Sequence, residues 1–287
     1  MIERKIEQWL QAPFDKDTQE EVRELQKDKA LLEDAFYKNL SFGTGGMRGL
    51  MGVGTNRINA YTLGKSTQGL CYYLKEKYLN EPISAVVAHD CRNNSKTLAK
   101  TIADVFTANQ IQCFLFSDLR PTPELSFTVR HLKANCGIVL TASHNPPNYN
   151  GYKVYSKDGG QLVPPEEGQI IDHINNIRFE DIRFEGQKKL LTYIDREVDA
   201  AYYQSVLESA NFITKQNKKF HLVFTPLHGT AITALPKVLS KANYQYVSLV
   251  ETQAKPDGNF PTVESPNPEE PKALAEALEM AKKNNAD

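Results

Sequence analysis

At roughly 150 residues per domain, a chain of 287 residues holds about two domains, and its 40% hydrophobic, 24% charged make-up is that of a globular protein rather than a disordered, collagen-like or coiled-coil one. Thirty-four Lys and Arg stand against 35 Asp and Glu, a net charge of −1. No overall field is available to grip nucleic acid or an anionic membrane, so any bound anion must be met by a local cluster.

Taken in chain order, residues 1 to about 40 read as helix. Thr18 and Glu21 have capping-box spacing, and Val22, Leu25, Leu32 and Phe36 recur at near-helical intervals. A glycine-dense loop, Ser41 to Gly49, follows, and then a helix from about Tyr61 to Tyr78. Apolar runs next alternate with helical ones: strand Ser84–Ala88, helix Lys96–Asn109, strand Gln112–Phe116, helix Glu124–Lys133 and strand Cys136–Thr141. This alternation predicts βαβ units and a largely parallel sheet, with ligands bound beyond the carboxyl ends of the strands. A boundary is expected near residues 185–195. Beyond it come a helix at about Asp195–Ala210, strand His221–Thr225, helix Ala231–Ala242 and strand Tyr246–Val250. A Pro/Asn-rich loop, Pro256–Pro271, and a helix, Lys272–Lys283, complete the pattern.

Four cysteines, Cys71, Cys91, Cys113 and Cys136, form no C-x-x-C pair and sit near apolar runs. They read as buried free thiols and point to a reducing cytoplasm. Neither an apolar leader region nor a run of 18 apolar residues occurs, which argues against secretion and membrane spanning. Several local patterns carry no chemistry. Gly64-Lys65-Ser66-Thr67 lacks the first P-loop glycine, Asn59 standing in its place, and falls inside a helical pattern. Gly43-x-Gly45 has Arg48 where a dinucleotide fingerprint needs glycine. Ser143 is not in a G-x-S-x-G elbow, and the histidines show no metal spacing, His221 reading as a strand residue.

The segment with most chemistry is Thr141-Ala142-Ser143-His144-Asn145-Pro146-Pro147-Asn148-Tyr149-Asn150-Gly151-Tyr152-Lys153. A buried strand delivers a hydroxyl, an imidazole and an amide to the sheet edge. Two prolines stiffen the exit, and Asn150-Gly151 is expected to turn the chain so that Lys153 comes back. The same residue types also suit an Asx-type turn capping a helix.

The wording of this segment resembles the serine loop of the α-D-phosphohexomutases, the phosphoglucomutase/phosphomannomutase family, in T-A-S-H-N-P and the N-G-x-K after it. Phe42-Gly43-Thr44-Gly45-Gly46-Met47-Arg48-Gly49 resembles the family's F-G-T-x-G-x-R-G loop. Thr225-Pro226-Leu227-His228-Gly229 and Gln253-Ala254-Lys255-Pro256-Asp257-Gly258-Asn259-Phe260-Pro261 are similar to its second domain. Order and spacing agree from about residue 35 onward, most closely with the branch of bacterial phosphoglucomutases and phosphopentomutase-like enzymes.

The resemblance implies an α/β fold: two consecutive three-layer α/β domains with mixed, largely parallel sheets, after an N-terminal helical segment. The expected limits are 1–40 for the extension packed on domain 1, 41–192 for domain 1 and 193–287 for domain 2, cut before the metal-binding loop. Ser143 would carry the phosphoryl group as phosphoserine, passing it to a sugar monophosphate. His144 and Lys153 would move protons and stabilise charge, and Thr44 and Arg48 would contact the phosphoserine region and substrate. Asp90 and Arg92 would act behind the loop, and His228-Gly229 would shape the cleft. The implied cofactors are Mg²⁺, with Ser143 a ligand through its phosphate, and a glucose 1,6-bisphosphate-type activator. The implied partner is a phosphosugar, with no nucleic acid and no membrane, and with oligomeric state open. The family's D-x-D-x-D-R metal loop does not occur in these 287 residues, so the chain by itself is expected to be nearly inactive. A phosphopentomutase, or a catalytically silent phosphosugar- or partner-binding module, stands as the alternative.

Overall fold

A computed structural model describes residues 2–43, 45–210 and 218–287. The N-terminal stretch forms three helices rather than one: α1 (Ile2–Trp9), α2 (Lys16–Leu25) and α3 (Lys29–Phe36). Local capping explains the breaks. Asp15, not Thr18, caps α2, accepting from the Thr18 backbone N–H at 2.8 Å, and Asp28 caps α3 by accepting from Ala30 and Leu31. The three helices close around Trp9, fully buried, stacked on Phe14 at 4.3 Å and met by Phe36, Tyr61 and Phe179 edge-on at 5.5 to 5.8 Å. Tyr61 lies in the long helix α4 (Ala60–Lys77), so the extension is seated on the α/β unit that follows.

That unit is a six-stranded sheet of β1 (Gly46–Leu50), β2 (Ser84–His89), β3 (Gln112–Phe116), β4 (Cys136–Leu140), β5 (Tyr149–Ser156) and β6 (Leu191–Ile194). Their order is β1-β5-β4-β2-β3-β6. β4, β2, β3 and β6 are mutually parallel, and β5 runs antiparallel to both β1 and β4. Helices α4, α5 (Ser95–Ala108) and α7 (Glu166–Asn176) cover one face, while α6 (Thr122–His131) and α8 (Arg196–Ser209) cover the other. Alternate strand residues divide between them. Ala85 and Val87 pack with the first layer, Val86 and Ala88 with the second. The three-layer expectation holds, and Gly64–Thr67 lies inside α4. β1, β5, β6 and α7 are not among the expected elements.

The second unit pairs β7 (Lys218–Phe224) with β8 (Tyr244–Leu249) in parallel, with α9 (Ala231–Lys241) between them in sequence. α10 (Ala275–Lys283) follows a 3₁₀ turn, so the expected helix 272–283 starts as the tighter form. His221 is a strand residue, as expected. All four cysteines are free. Cys71, Cys113 and Cys136 are buried, whereas Cys91 is only half-buried, its sulfur 3.9 Å from the Asp257 carbonyl. Among the described residues no helix is long and apolar enough to cross a membrane.

α8 bridges the two units, Val198 packing with the α6 layer and Tyr203 with Ala234 and Val238 of α9, and its seat on the first unit is ionic. Buried Arg120, after β3, holds both oxygens of Asp199 in α8 at 2.7 and 3.0 Å and reaches Asp195 at 3.3 Å. Ser117 also donates its hydroxyl to Asp195, at 2.6 Å. Beside them Glu124 of α6 is fully buried, its Oε1 3.9 Å from Arg120 Nε, and its carboxyl oxygens have no hydrogen-bond partner among the described residues. Burial first, then the neighbouring Asp199 carboxylate, push its pKa up to about 8. The folded chain therefore keeps a proton that the unfolded chain, with its ordinary value of 4.5, gives up. This contribution is complete below pH 4.5 and lost as the pH rises towards about 8. Glu124→Gln mimics the neutral carboxyl, so its stability is expected to gain on that of the original chain through this window. Urea unfolding across the pH range checks this, and a difference that stays flat counts against a buried neutral Glu124.

Candidate active site

The site is built at the carboxyl edge of β4 and β2. After Leu140 the chain makes a turn closed by the Asn145 N–H on the Ala142 carbonyl at 3.1 Å, and Ser143 sits at its first central position with φ +57°. A positive φ there is what type II′ turns require and what glycine normally supplies, so a serine holds it at a cost of about 1–3 kcal/mol. The Thr141 hydroxyl steadies the turn by accepting the Ser143 N–H at 2.9 Å. A second turn, closed by Tyr149 N–H on the Pro146 carbonyl at 3.1 Å, has Pro147 at the position where proline is preset. Asn150-Gly151 is not a turn. Both residues lie within β5, and the reversal of the chain falls at 142–149.

One side chain holds the loop from beneath. Arg92, buried to 3% exposure, donates to four carbonyls: Ser143 at 3.0 Å, Asn145 at 2.5 Å, Pro146 at 2.7 Å and Tyr149 at 2.9 Å. Asp90 lies 3.5 Å from its Nε and also accepts the Arg92 N–H and the Ser95 hydroxyl, at 2.9 and 3.0 Å. Burial raises the Asp90 pKa against the pull of these donors. Asn150, fully buried, donates to Ser95 at 2.9 Å and ties β5 into the same network. The loop's carbonyls thus point inward, and Ser143 and His144 stand exposed, Ser143 Oγ 3.3 Å from His144 Nδ1.

The cations come from the sheet. Across the β1–β5 pair Arg48 lies opposite Gly151 and Lys153 opposite Gly46, so each long side chain faces a residue without one. Neither glycine is replaceable in place. A Cβ at Gly46 would lie 1.9 Å from the Tyr152 carbonyl oxygen, and one at Gly151 would lie 2.5 Å from that of Thr141. Arg48 donates to the Asn145 side-chain oxygen at 2.8 Å, joining strand to loop. Lys153 has no hydrogen-bond or ion-pair partner among the described residues. Burial and then the charge of Arg48 lower its pKa. Arg48 and Lys153 line a hollow of about 340 Å³. Ser143 and His144 open onto another, of about 460 Å³, whose far wall is Thr225, Leu227, Thr230 and Glu269 of the second unit. Thr141 borders both. Ser143, His144 and Arg48 therefore meet around one loop, Lys153 adjoins them, and Thr44 lies outside the described residues.

The second unit braces the clamp. Phe260 places its ring 5.3 Å from the Arg92 guanidinium, Asn93 donates to Asn259 at 2.8 Å, and a Cβ at Gly258 would lie 2.5 Å from the Asn93 nitrogen. His228 fixes this segment. Its Nδ1 donates to the Lys255 carbonyl and its Nε2 is hydrogen-bonded to the Thr262 hydroxyl, both at 3.0 Å. Those bonds give His228 a structural part, as expected.

The comparisons fit this geometry. The family models described as phosphoglucomutase/phosphomannomutase α/β/α domain I and domain II match residues 39–181 and 200–287. The chain belongs to the phosphoglucomutase/phosphomannomutase family. It is 36% identical over 279 residues to a phosphoglucomutase of Staphylococcus epidermidis, covering 91% of this chain and 50% of that protein. It is 38% identical over 258 residues to one of Staphylococcus aureus, covering 88% and 46%. A solved structure titled as a putative phosphomannomutase from Thermus thermophilus superposes with a TM-score of 0.73 at 27% identity, over 85% of this chain and 52% of that one. The chain thus spans about half the length of the relatives it matches.

This family's Mg²⁺ needs an oxygen-rich set of about six ligands. Among the described residues no three His, Cys, Asp or Glu side chains come together to hold a metal ion, and Ser143 offers a single oxygen. The residues present do not fit the ion by themselves.

The clamp has a direct test. Arg92→Met leaves four inward carbonyls unpaired and is expected to destabilise the chain by about 3 kcal/mol or more. Amide exchange is expected to rise at 143–149 and stay slow in β4. Unchanged protection of the loop would show that Arg92 does not hold it.

Proposed function

We propose that this chain provides the phosphoryl-carrying part of a phosphohexomutase, one that moves a phosphoryl group between the 1- and 6-positions of a hexose phosphate. The observation that carries this reading is Ser143, held outward at a positive φ by the Arg92 clamp. Phosphoryl transfer is chiefly a matter of position and charge. A hydroxyl fixed on a braced turn, with cations on the adjoining strands, suits a phosphoserine.

In this reading the bond between phosphorus and Ser143 Oγ breaks as one forms to a sugar hydroxyl, giving a bisphosphate. The sugar's other phosphate then returns to Ser143. His144 takes and returns the hydroxyl proton, while Arg48 and Lys153 face charge on the phosphoryl oxygens; Thr44 is assigned to substrate binding by the family motif alone. The depressed pKa of Lys153, caused by burial and by Arg48, suits a cation awaiting an anion. Mg²⁺ in the complete enzyme and a glucose 1,6-bisphosphate-type activator belong to this reading, as do a phosphosugar partner and a cytoplasmic setting that keeps the thiols reduced. Residues 1–40, 41–192 and 193–287 serve in it as extension, first domain and second domain. Hexose is preferred to pentose because the relatives are named as acting on glucose and mannose phosphates.

Incubation with glucose 1,6-bisphosphate and Mg²⁺ is expected to leave phosphate on the tryptic peptide containing Ser143, and none in Ser143→Ala. Lys153→Met is expected to slow labelling about 10²–10³-fold, the usual cost of one oxyanion-stabilising group. In a coupled assay the 287-residue chain is expected to turn over far more slowly than a full-length relative. Label on another residue, or turnover matching the relative, would overturn these assignments.

A further inference from the structure

On the face of β1 opposite Arg48 lies a recess of about 440 Å³ that the phosphoryl-transfer reading does not use. Successive strand residues point to opposite faces, so Met47 lines this recess while its neighbour Arg48 serves the loop of Ser143. The walls come from α1, α4 and the end of α7, and the volume is that of a small-molecule site. Leu40, Met47, Ile174 and Phe179 supply its apolar part.

Its charge is one-sided. Lys5, Lys65 and Arg178 line it against a single carboxylate, Glu180, which is exposed and accepts from Gln8 at 3.4 Å. Arg178 is paired with Asp181 at 2.8 Å. The two lysines have no carboxylate partner among the described residues. Lys5 Nζ donates to the Phe36 carbonyl at 3.2 Å and the Thr55 hydroxyl at 3.4 Å, and Lys65 Nζ has only the Phe179 ring at 5.6 Å. Burial lowers the pKa of both. Two partly desolvated ammonium groups without a counter-ion are a standing cost to the fold, which an anion seated between them would offset.

We infer that this recess binds a small phosphate monoester, its dianionic head at Lys5 and Lys65 and its uncharged body against Leu40, Met47 and Phe179. A dianion matches two cations that have no carboxylate partner among the described residues, and the apolar wall asks for more than inorganic phosphate. Met47 borders both this recess and the Arg48–Lys153 hollow, but Lys5 and Lys65 line only the recess, and the inference stands whether or not Ser143 carries phosphate.

Phenyl phosphate is the probe, with inorganic phosphate as its comparison, read by the methyl signals of ¹³C-labelled methionine. Phenyl phosphate is expected to shift the Met47 methyl saturably, and more tightly than inorganic phosphate does, with Met51 little moved. Lys65→Leu and Lys5→Leu are each expected to weaken binding about tenfold or more. Both are expected to keep or raise the unfolding temperature, since an unpaired, half-buried charge is removed. Ser143→Ala is expected to leave the titration unchanged. Three results would overturn the inference: no Met47 shift at about 10 mM probe, a shift that survives in folded Lys65→Leu and Lys5→Leu, or one lost in Ser143→Ala.

Discussion

A loop that leaves one sheet edge and re-enters beside it must turn its backbone carbonyls somewhere. In residues 143–149 four of them turn inward onto the guanidinium of Arg92. A guanidinium suits the task because its donors form a rigid planar fork and its charge does not titrate away. The charge must in turn be balanced in a dry setting, and Asp90 is there, itself held by the Arg92 N–H and by Ser95. Everything exposed on the loop follows from this inward set. Ser143 can keep a backbone conformation that serine disfavours because the surrounding bonds overdetermine it.

The cations are supplied by a different device. Arg48 and Lys153 stand on paired strands whose facing positions are Gly151 and Gly46. Strands fix a side chain more rigidly than loops, so the charge is set by the sheet and the hydroxyl by the clamped turn. Arg48 bridges the two through Asn145. Lys153 is left without a protein partner among the described residues, and its lowered pKa records a charge that the fold does not neutralise. A fold optimised for stability alone would not place it there.

Motif wording and apolar periodicity brought the parallel strands, the helices between them and Ser143, His144, Arg48 and Lys153 into view. What escaped did so for physical reasons. β1 reads Gly46-Met47-Arg48-Gly49-Leu50, with too little alternation to resemble a strand. Asn150-Gly151 carries a turn signature, yet the glycine is needed inside β5, where the Thr141 and Met47 carbonyls crowd its Cα. The apolar periodicity of the N-terminal stretch runs on through Asp15 and Asp28, whereas the backbone breaks there because each aspartate caps a new helix. Arg92 was visible only as a residue behind the loop. Its bonds reach 51 to 57 residues along the chain and leave no local pattern.

The second unit bears on the chemistry without supplying a reacting group of its own. Its two matched segments fold on each other through His228, whose imidazole joins Lys255 to Thr262. The product is a ridge, Asp257 to Phe260, pressed against Cys91, Arg92 and Asn93. Gly258 allows that approach, since any side chain there would strike the backbone of Asn93. On the opposite flank, Arg120 binds α8 through Asp195 and Asp199. Both contacts leave the carboxyl edge of the parallel strands, one after β2 and one after β3, so the unit that forms the far wall of the hollow at Ser143 is attached beside the loop that Arg92 supports. This explains why glycine, histidine and an aromatic ring, rather than acids or nucleophiles, make up the second unit's part of the pattern.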